Sequence, residues 1–206
     1  MADQDVAGRL EAFAEAIEAS PHNLMSLRGV AELRERHIPE CVAFAAQLPR
    51  GPSTLADIGS GGGLPGLVIA IVRPDLETTL IESTRKKAAF LAETAQILGV
   101  TVEVVAQRVE DLGDPYLGSF DLVTARAVAP LERLIPWAVP LLAPDGELHA
   151  IKGERWQEEL EDAQEALEAS GARVVSTPED PRSKAPGAPR VVIIAATGAG
   201  TGREGA

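Results

Sequence analysis

The fold turns on one stretch, "STLADIGSGGGLPGLVIAIVRPDLETTLIEST" (residues 53–84), in which a glycine cluster separates two apolar runs and an acidic residue closes the second. "TLADI" and "LETTLIE" read as strands, and "LPGLVIAIV" between them reads as a helix. Strand, glycine turn, helix and strand make a βαβ unit, whose two strands run parallel. Glycines let the backbone approach a ligand closely, and the amides opening the next helix are free to bind one. A dinucleotide fingerprint, G-x-G-x-x-G, would put its third glycine where this chain has Leu64. The glycines fall at Gly59, Gly61 and Gly63 instead, a G-x-G-x-G spacing, and no lysine followed by serine or threonine marks a P-loop. Glu82 ends the second strand and offers acceptors only, which suits a diol.

The same alternation continues outward. "TVEVVA", "FDLVTA" and "GELHAIK" read as strands, while "TRKKAAFLAETAQIL", "LERLIPWAVPLL" and "RWQEELEDAQEALEAS" read as helices, giving an α/β fold with a mostly parallel sheet. "RVVST" and "RVVIIAA" flank the Pro-rich "PEDPRSKAPGAP" and predict antiparallel pairing at the end of the sheet. Upstream, Val6, Leu10, Phe13 and Ile17 recur at helical steps and predict a helix ending before "SPHN". A second helical pattern, "VAELRERHIPECVAFAAQL", should break or kink at Pro39. The expected organisation is a helical N-terminal extension (1–50), a Rossmann-like ligand-binding domain (51–196) and a disordered tail, "TGAGTGREGA" (197–206).

Bulk properties bound the function. A chain of 206 residues suits one well-buried domain, and it has no apolar stretch of about 18 residues able to cross a bilayer. "MADQDVAGRL" lacks the basic start and apolar core of a secretory signal, so a cytoplasmic location is expected. The one cysteine, Cys41, can form no intrachain disulfide and reads as a small buried apolar residue. The net charge is -12, but residues 1–20 carry -4 and residues 154–170 carry -6, which leaves the body near neutral and able to present a basic face. Trp137 and Trp156 fall in helices and read as packing residues.

The G-x-G-x-G spacing after an acidic strand end resembles the first motif of class I S-adenosylmethionine-dependent methyltransferases. Those proteins fold as a doubly wound, mostly parallel seven-stranded sheet with a reversed last strand. The following residues, "GLPGLVIAIVRP", narrow the likeness: they resemble the RsmG (GidB) family, bacterial enzymes that methylate N7 of a guanine in 16S (small-subunit) ribosomal RNA. Further matches stand in order at "NLMSLR" (23–28), "RHI" (36–38), "RKKAAFL" (85–91), "QRVEDL" (107–112), "FDLVTARAVAPL" (120–131) and "AIKG" (150–153), so the resemblance covers residues 22–196.

That resemblance implies S-adenosyl-L-methionine as cofactor. It puts Gly59, Gly61 and Leu64 beside the methionine and ribose, Glu82 on the ribose hydroxyls, Val109 and Glu110 near the adenine, and Arg126 beside the reactive methyl. Asp57 is expected to reach the cofactor's amino group through loop amides or water. Arg126, Lys152 and Arg108 are the implied catalytic residues, and His37, Lys86 and Lys87, with Arg85, the implied substrate contacts; no metal is implied. Because these bases follow successive strands, a parallel sheet would bring them to one edge as a positive rim. The expected partner of this methyltransferase is small-subunit ribosomal RNA or the ribosomal subunit, met by a monomer away from any membrane.

Two departures bear on the substrate side. The family has a longer N-terminal extension with a Trp-Asn pair, where this chain reads "EASPHNL", and the family's "HILDS" is "HIPEC" here, with Pro39 and Glu40 in place of leucine and aspartate. A methyltransferase of the same fold acting on another RNA or on a small molecule is therefore the alternative. A nicotinamide-dependent oxidoreductase would want the other glycine spacing, and a non-catalytic nucleotide-binding module would show no turnover.

Overall fold

A computed structural model describes residues 2–51, 53–178 and 190–197, with side chains from Asp5 onward. Most of the Pro-rich stretch and all but the first residue of the expected disordered tail lie outside the described residues. Seven strands, β1 (Ser53–Ile58), β2 (Leu76–Ile81), β3 (Glu103–Val105), β4 (Phe120–Arg126), β5 (Leu142–Lys152), β6 (Ala172–Ser176) and β7 (Arg190–Ala196), bond in the order β3-β2-β1-β4-β5-β7-β6. The expected α/β fold with a seven-stranded, mostly parallel sheet is what the chain forms. The chain divides into two compact units. One holds the residues up to Leu112 together with Thr124–Arg126, and the other holds Gly113–Val123 and the residues from Ala127 onward.

In the first unit β2 pairs parallel with both β1 and β3. The crossover from β1 to β2 is helix α4 (Gly66–Val72), in which every residue from Gly66 to Ile71 is buried. Its β-branched residues would favour a strand in isolation, but a helix apolar all round is stable once wrapped by other elements. Burying each of Leu67, Val68, Ile69 and Ile71 contributes about 1.5–3 kcal/mol. The N-terminal segment is part of this packing: Phe13 and Ile17 of helix α1 (Ala2–Ala19), with Leu24 and Leu33, share one core with Leu67, Leu80 and, from helix α5 (Arg85–Leu98), Phe90 and Leu91.

Pro39 does not break its helix. After the short α2 (Leu27–Ala31) comes a π-helical turn, Leu33–His37, and then α3 (Ile38–Ala45), with Pro39 in its first turn. The His37 amide reaches back five residues to the Glu32 carbonyl (3.2 Å). A proline ring crowds the carbonyl four residues earlier, and the wider turn relieves that crowding without ending the helix. The far end of α3 is held by Arg73, which follows α4 and donates to the carbonyls of Ala45, Leu48 and Pro49 (3.1, 3.2 and 2.6 Å) while pairing with Asp75.

In the second unit β7 runs antiparallel to both β5 and β6. This is the antiparallel pairing that "RVVST" and "RVVIIAA" foretell, with β7 inserted between β5 and β6. Helix α6 (Leu131–Ala138) carries a cation–π contact from Arg133 to half-buried Trp137 (5.1 Å to the ring centroid). The helix expected over 155–170 is two, α7 (Trp156–Asp162) and α8 (Gln164–Ala169), parted at buried Ala163 with no glycine or proline to announce the break. Among the described residues no helix is long and apolar enough to cross a membrane.

Candidate active site around the glycine loop

The loop leaves β1 at Ile58 and bends on Gly59 and Gly61, whose φ angles of 67° and 55° lie in the region that side chains disfavour. Its first amides are tied down: Gly59 and Ser60 both donate to the Ile81 carbonyl at the end of β2 (2.8 and 3.1 Å). A Cβ on Gly61 would meet only the Gly59 carbonyl oxygen, at an ordinary contact distance of 3.7 Å, so this residue has an open face. Gly63 and Gly66 are different, because they pack inward. A Cβ on Gly63 would stand 2.8 Å from Leu67 Cδ1 and 3.1 Å from Phe13 Cε2, which fixes the loop against helix α1.

Asp57 lies beneath the loop and is fully buried. One carboxylate oxygen accepts from the Thr124 hydroxyl of β4 (2.9 Å) and the other from the Gly66 amide (3.2 Å). Burial pushes its carboxyl up to about 6, against the pull of those donors. Both oxygens face protein, so Asp57 shapes the loop from below. Glu82, just past β2, crosses above: its carboxylate accepts from the Gly61 amide (2.9 Å) and from the Thr84 amide (2.7 Å). A carboxylate has about four acceptor sites, so these two bonds leave capacity on both oxygens.

Arg126 ends β4 with its guanidinium turned to α3. Nη2 donates to His37 Nδ1 (2.8 Å) and to Glu40 Oε2 (3.0 Å), and Nη1 donates to Cys41 Sγ (3.1 Å). The first of these bonds requires the neutral His37 tautomer carrying its proton on Nε2. Burial and the Arg126 charge both lower the pKa of His37, which favours that form. Burial pushes the Cys41 thiol up to about 11, so it too is neutral. The first unit therefore brings Asp57, Gly59, Gly61, Glu82, Arg126 and His37 together around the strand ends, where the order reverses between β1 and β4 and such sheets bind ligands.

Val109 and Glu110 form a short 3-10 turn after β3, with Arg108 capping it and exposed. Arg85, Lys86 and Lys87 open α5, and among the described residues neither they nor Arg108 form an ion pair. Bases in a helix's first turn oppose its dipole, so helix stability does not account for them. Lys152 belongs to the second unit and is engaged differently from the expected rim residue. It is 7% exposed, with its ammonium on Glu159 Oε2 (2.6 Å) and the Ala129 carbonyl (2.8 Å). Glu159 also accepts from the Leu131 amide at the start of α6 (3.2 Å). An ammonium committed to a partly buried pair of this kind ties α6 and α7 to β5.

Sequence reasoning missed Glu40, Cys41, Thr124 and Glu159. Glu40 had a readable signal, since Arg28, Glu32, Arg36 and Glu40 alternate in sign at four-residue steps; Thr124 had none, because its partner lies 67 residues away, and Glu159 is one acid among many in its helix, with nothing to single it out for Lys152.

A profile of the GidB family, described as rRNA small subunit methyltransferase G, matches residues 9–184. Proteins named ribosomal RNA small subunit methyltransferase G include one from Sorangium cellulosum, 46% identical across 79% of this chain and 70% of its own length. Another from Halorhodospira halophila is 48% identical across 77% of this chain and 75% of its own. Among solved structures, the ribosomal protein L11 methylase of Lactobacillus delbrueckii subsp. bulgaricus superposes with a TM-score of 0.59 at 17% identity, covering 79% of this chain and 80% of that one. M. jannaschii TYW2, solved in complex with AdoMet, gives 0.62 at 17% identity over 78% and 75%. The solved structures share the fold, and with nearly half of its aligned residues shared with named members, the chain belongs to the GidB family of rRNA small subunit methyltransferases G.

Proposed function

We propose that this chain methylates N7 of a guanine in 16S ribosomal RNA, using S-adenosyl-L-methionine. The observation that carries the reading is the open face of Gly61 beside a Glu82 carboxylate with acceptor capacity to spare, at the strand ends of a GidB-family fold. Gly59, Gly61 and Leu64 would hold the methionine and ribose, Glu82 the ribose diol, Val109 and Glu110 the adenine, and Arg126 would lie beside the reacting end. S-adenosylmethionine supplies there a methyl group on a positively charged sulfur, which N7 of guanine takes directly because that nitrogen already has a lone pair. The chain's residues then need no general base; they orient the reactants, and orientation alone is worth about 7–11 kcal/mol in favourable cases. Asp57 acts by holding the loop, and Lys152 by holding α6 and α7.

Glu82→Gln should leave the fold intact and weaken S-adenosylmethionine binding about ten- to a hundredfold by calorimetry, since an amide nitrogen would face a backbone N–H and one charge-assisted acceptor is lost. Lys86 and Lys87, with Arg85 and Arg108, would take RNA phosphates. Replacing Lys86 and Lys87 together by alanine should weaken binding to small subunits, flatten its salt dependence by about two in the log–log slope, and leave cofactor affinity unchanged.

The direct test is methyl transfer from labelled S-adenosylmethionine to small subunits, and to naked RNA, from cells lacking the native modification. Label recovered as 7-methylguanine by mass spectrometry supports the reading. No label on either, from a sample that binds the cofactor by calorimetry, overturns it and points to a methyltransferase of this fold with another RNA or a small molecule as substrate.

A further inference from the structure

We propose that Glu40 is the positioning residue of Arg126, fixing the guanidinium at the angle the site requires. The inference rests on the reading of the glycine-loop site as a methyltransferase centre with Arg126 at its reacting end. A guanidinium has five N–H donors, and α3 with the residue before it takes three: His37 and Glu40 on Nη2 and Cys41 on Nη1. His37 and Cys41 are neutral acceptors, so Glu40 is the anion that bonds Arg126 among the described residues. Nε–H and one Nη1–H remain for cofactor or substrate.

Glu40 is itself held. Its other oxygen accepts from Arg36 Nε (3.0 Å), Arg36 Nη1 pairs with Glu32 (2.9 Å), and Glu32 with Arg28 (2.7 Å). Arg28, Glu32, Arg36 and Glu40 form a ladder of alternating charge along the helical segment that contains the π turn, which starts at Arg28, 82% exposed, and meets Arg126 of β4, 18% exposed, at its inner end. Arginine alone carries about 2 kcal/mol of rotamer entropy, so a guanidinium held in advance presents its remaining N–H donors to cofactor or substrate without reorganising. "HIPEC" in place of "HILDS" keeps a carboxylate at this position, with one more methylene of reach.

The test compares Glu40→Gln and Glu40→Asp with the wild type on the same small subunits. Glu40→Gln keeps the shape and loses the charge; kcat should fall about tenfold or more while KM for subunits stays within about twofold. Glu40→Asp should recover kcat to within about threefold, and Arg28→Ala, at the outer end, should change it less than about twofold. A Glu40→Gln kcat equal to or above wild type overturns the proposal, as does an equal loss in Glu40→Asp. A second readout does not depend on turnover: the NMR titration of His37, which faces Arg126, Glu40 and Arg36, should move down in Glu40→Gln and up in Arg126→Gln. A midpoint unmoved in both shows that the cluster does not form, and overturns the proposal. If the wild type transfers no methyl group, the reading of the site fails and the His37 response alone decides the Glu40–Arg126 pairing.

Discussion

Gly66→Ala is expected to melt about 10 °C or more below the wild type. Gly66 does not need a left-handed backbone; it needs space. A Cβ there would lie 2.6 Å from Asp57 Oδ2 and 3.0 Å from Asp57 Cβ, and would meet the Leu80 side chain more closely still. Neither neighbour can yield, because Asp57 is fully buried with both oxygens bonded and Leu80 is fully buried on β2. Overpacking of this kind costs about 1–3 kcal/mol and occasionally more, and displacing the Gly66 amide from Asp57 adds a charge-assisted bond of about 1.5–3 kcal/mol. Thermal unfolding by circular dichroism measures the sum. Two controls bracket it: a Cβ on Gly62 meets Leu24 Cβ at 3.3 Å and should cost little, while one on Gly8 meets nothing within 4 Å and should stabilise α1 by about 0.5–1 kcal/mol. A Gly66→Ala protein melting with the wild type would mean that β1, β2 and α4 do not pack this closely.

The same crowding explains why the fold was legible in residues 53–84. Glycines at Gly59 and Gly61 and an apolar run after Gly66 leave few arrangements other than strand, turn and buried helix, and the antiparallel end of the sheet follows from two short β-prone runs. What the sequence hides is side-chain pairing across distance. Lys152 looks like a free base after a strand, yet Glu159 and the Ala129 carbonyl occupy its ammonium. Asp57 is legible as a residue beneath the glycine loop, but its bonds to the Thr124 hydroxyl and the Gly66 amide are not. Pro39 announces a break or a kink, and the segment answers with a π turn, because neighbouring contacts such as those of buried Leu33 and Ile38 keep it helical. Local pattern fixes elements; it does not say which acceptor a long side chain will find.

Asp57→Asn is expected to remove a pH dependence of stability amounting to roughly 2 kcal/mol between pH 4 and pH 7.5. Burial raises the native carboxyl to about 6, while the unfolded chain releases its proton near 3.8. Between those values the native state holds the proton more tightly, so stability from this group is fully present below 3.8 and is lost as pH rises through 6. An asparagine at 57 does not titrate, and its oxygen can accept from Gly66 while its NH2 donates to the Thr124 hydroxyl. Urea unfolding of both proteins across that range cancels the other carboxylates and leaves the Asp57 contribution. The difference should grow in favour of Asp57→Asn as pH rises, and a difference independent of pH would show that the carboxyl is not desolvated. Asp57→Ala leaves the Gly66 amide and the Thr124 hydroxyl without their acceptor and should be less stable than Asp57→Asn throughout, by about 2 kcal/mol. S-adenosylmethionine affinity separates the two roles open to this residue: if Asp57 works only from beneath the loop, Asp57→Asn binds within a few-fold of wild type once folded, whereas a loss of about a hundredfold would require a direct contact with the cofactor.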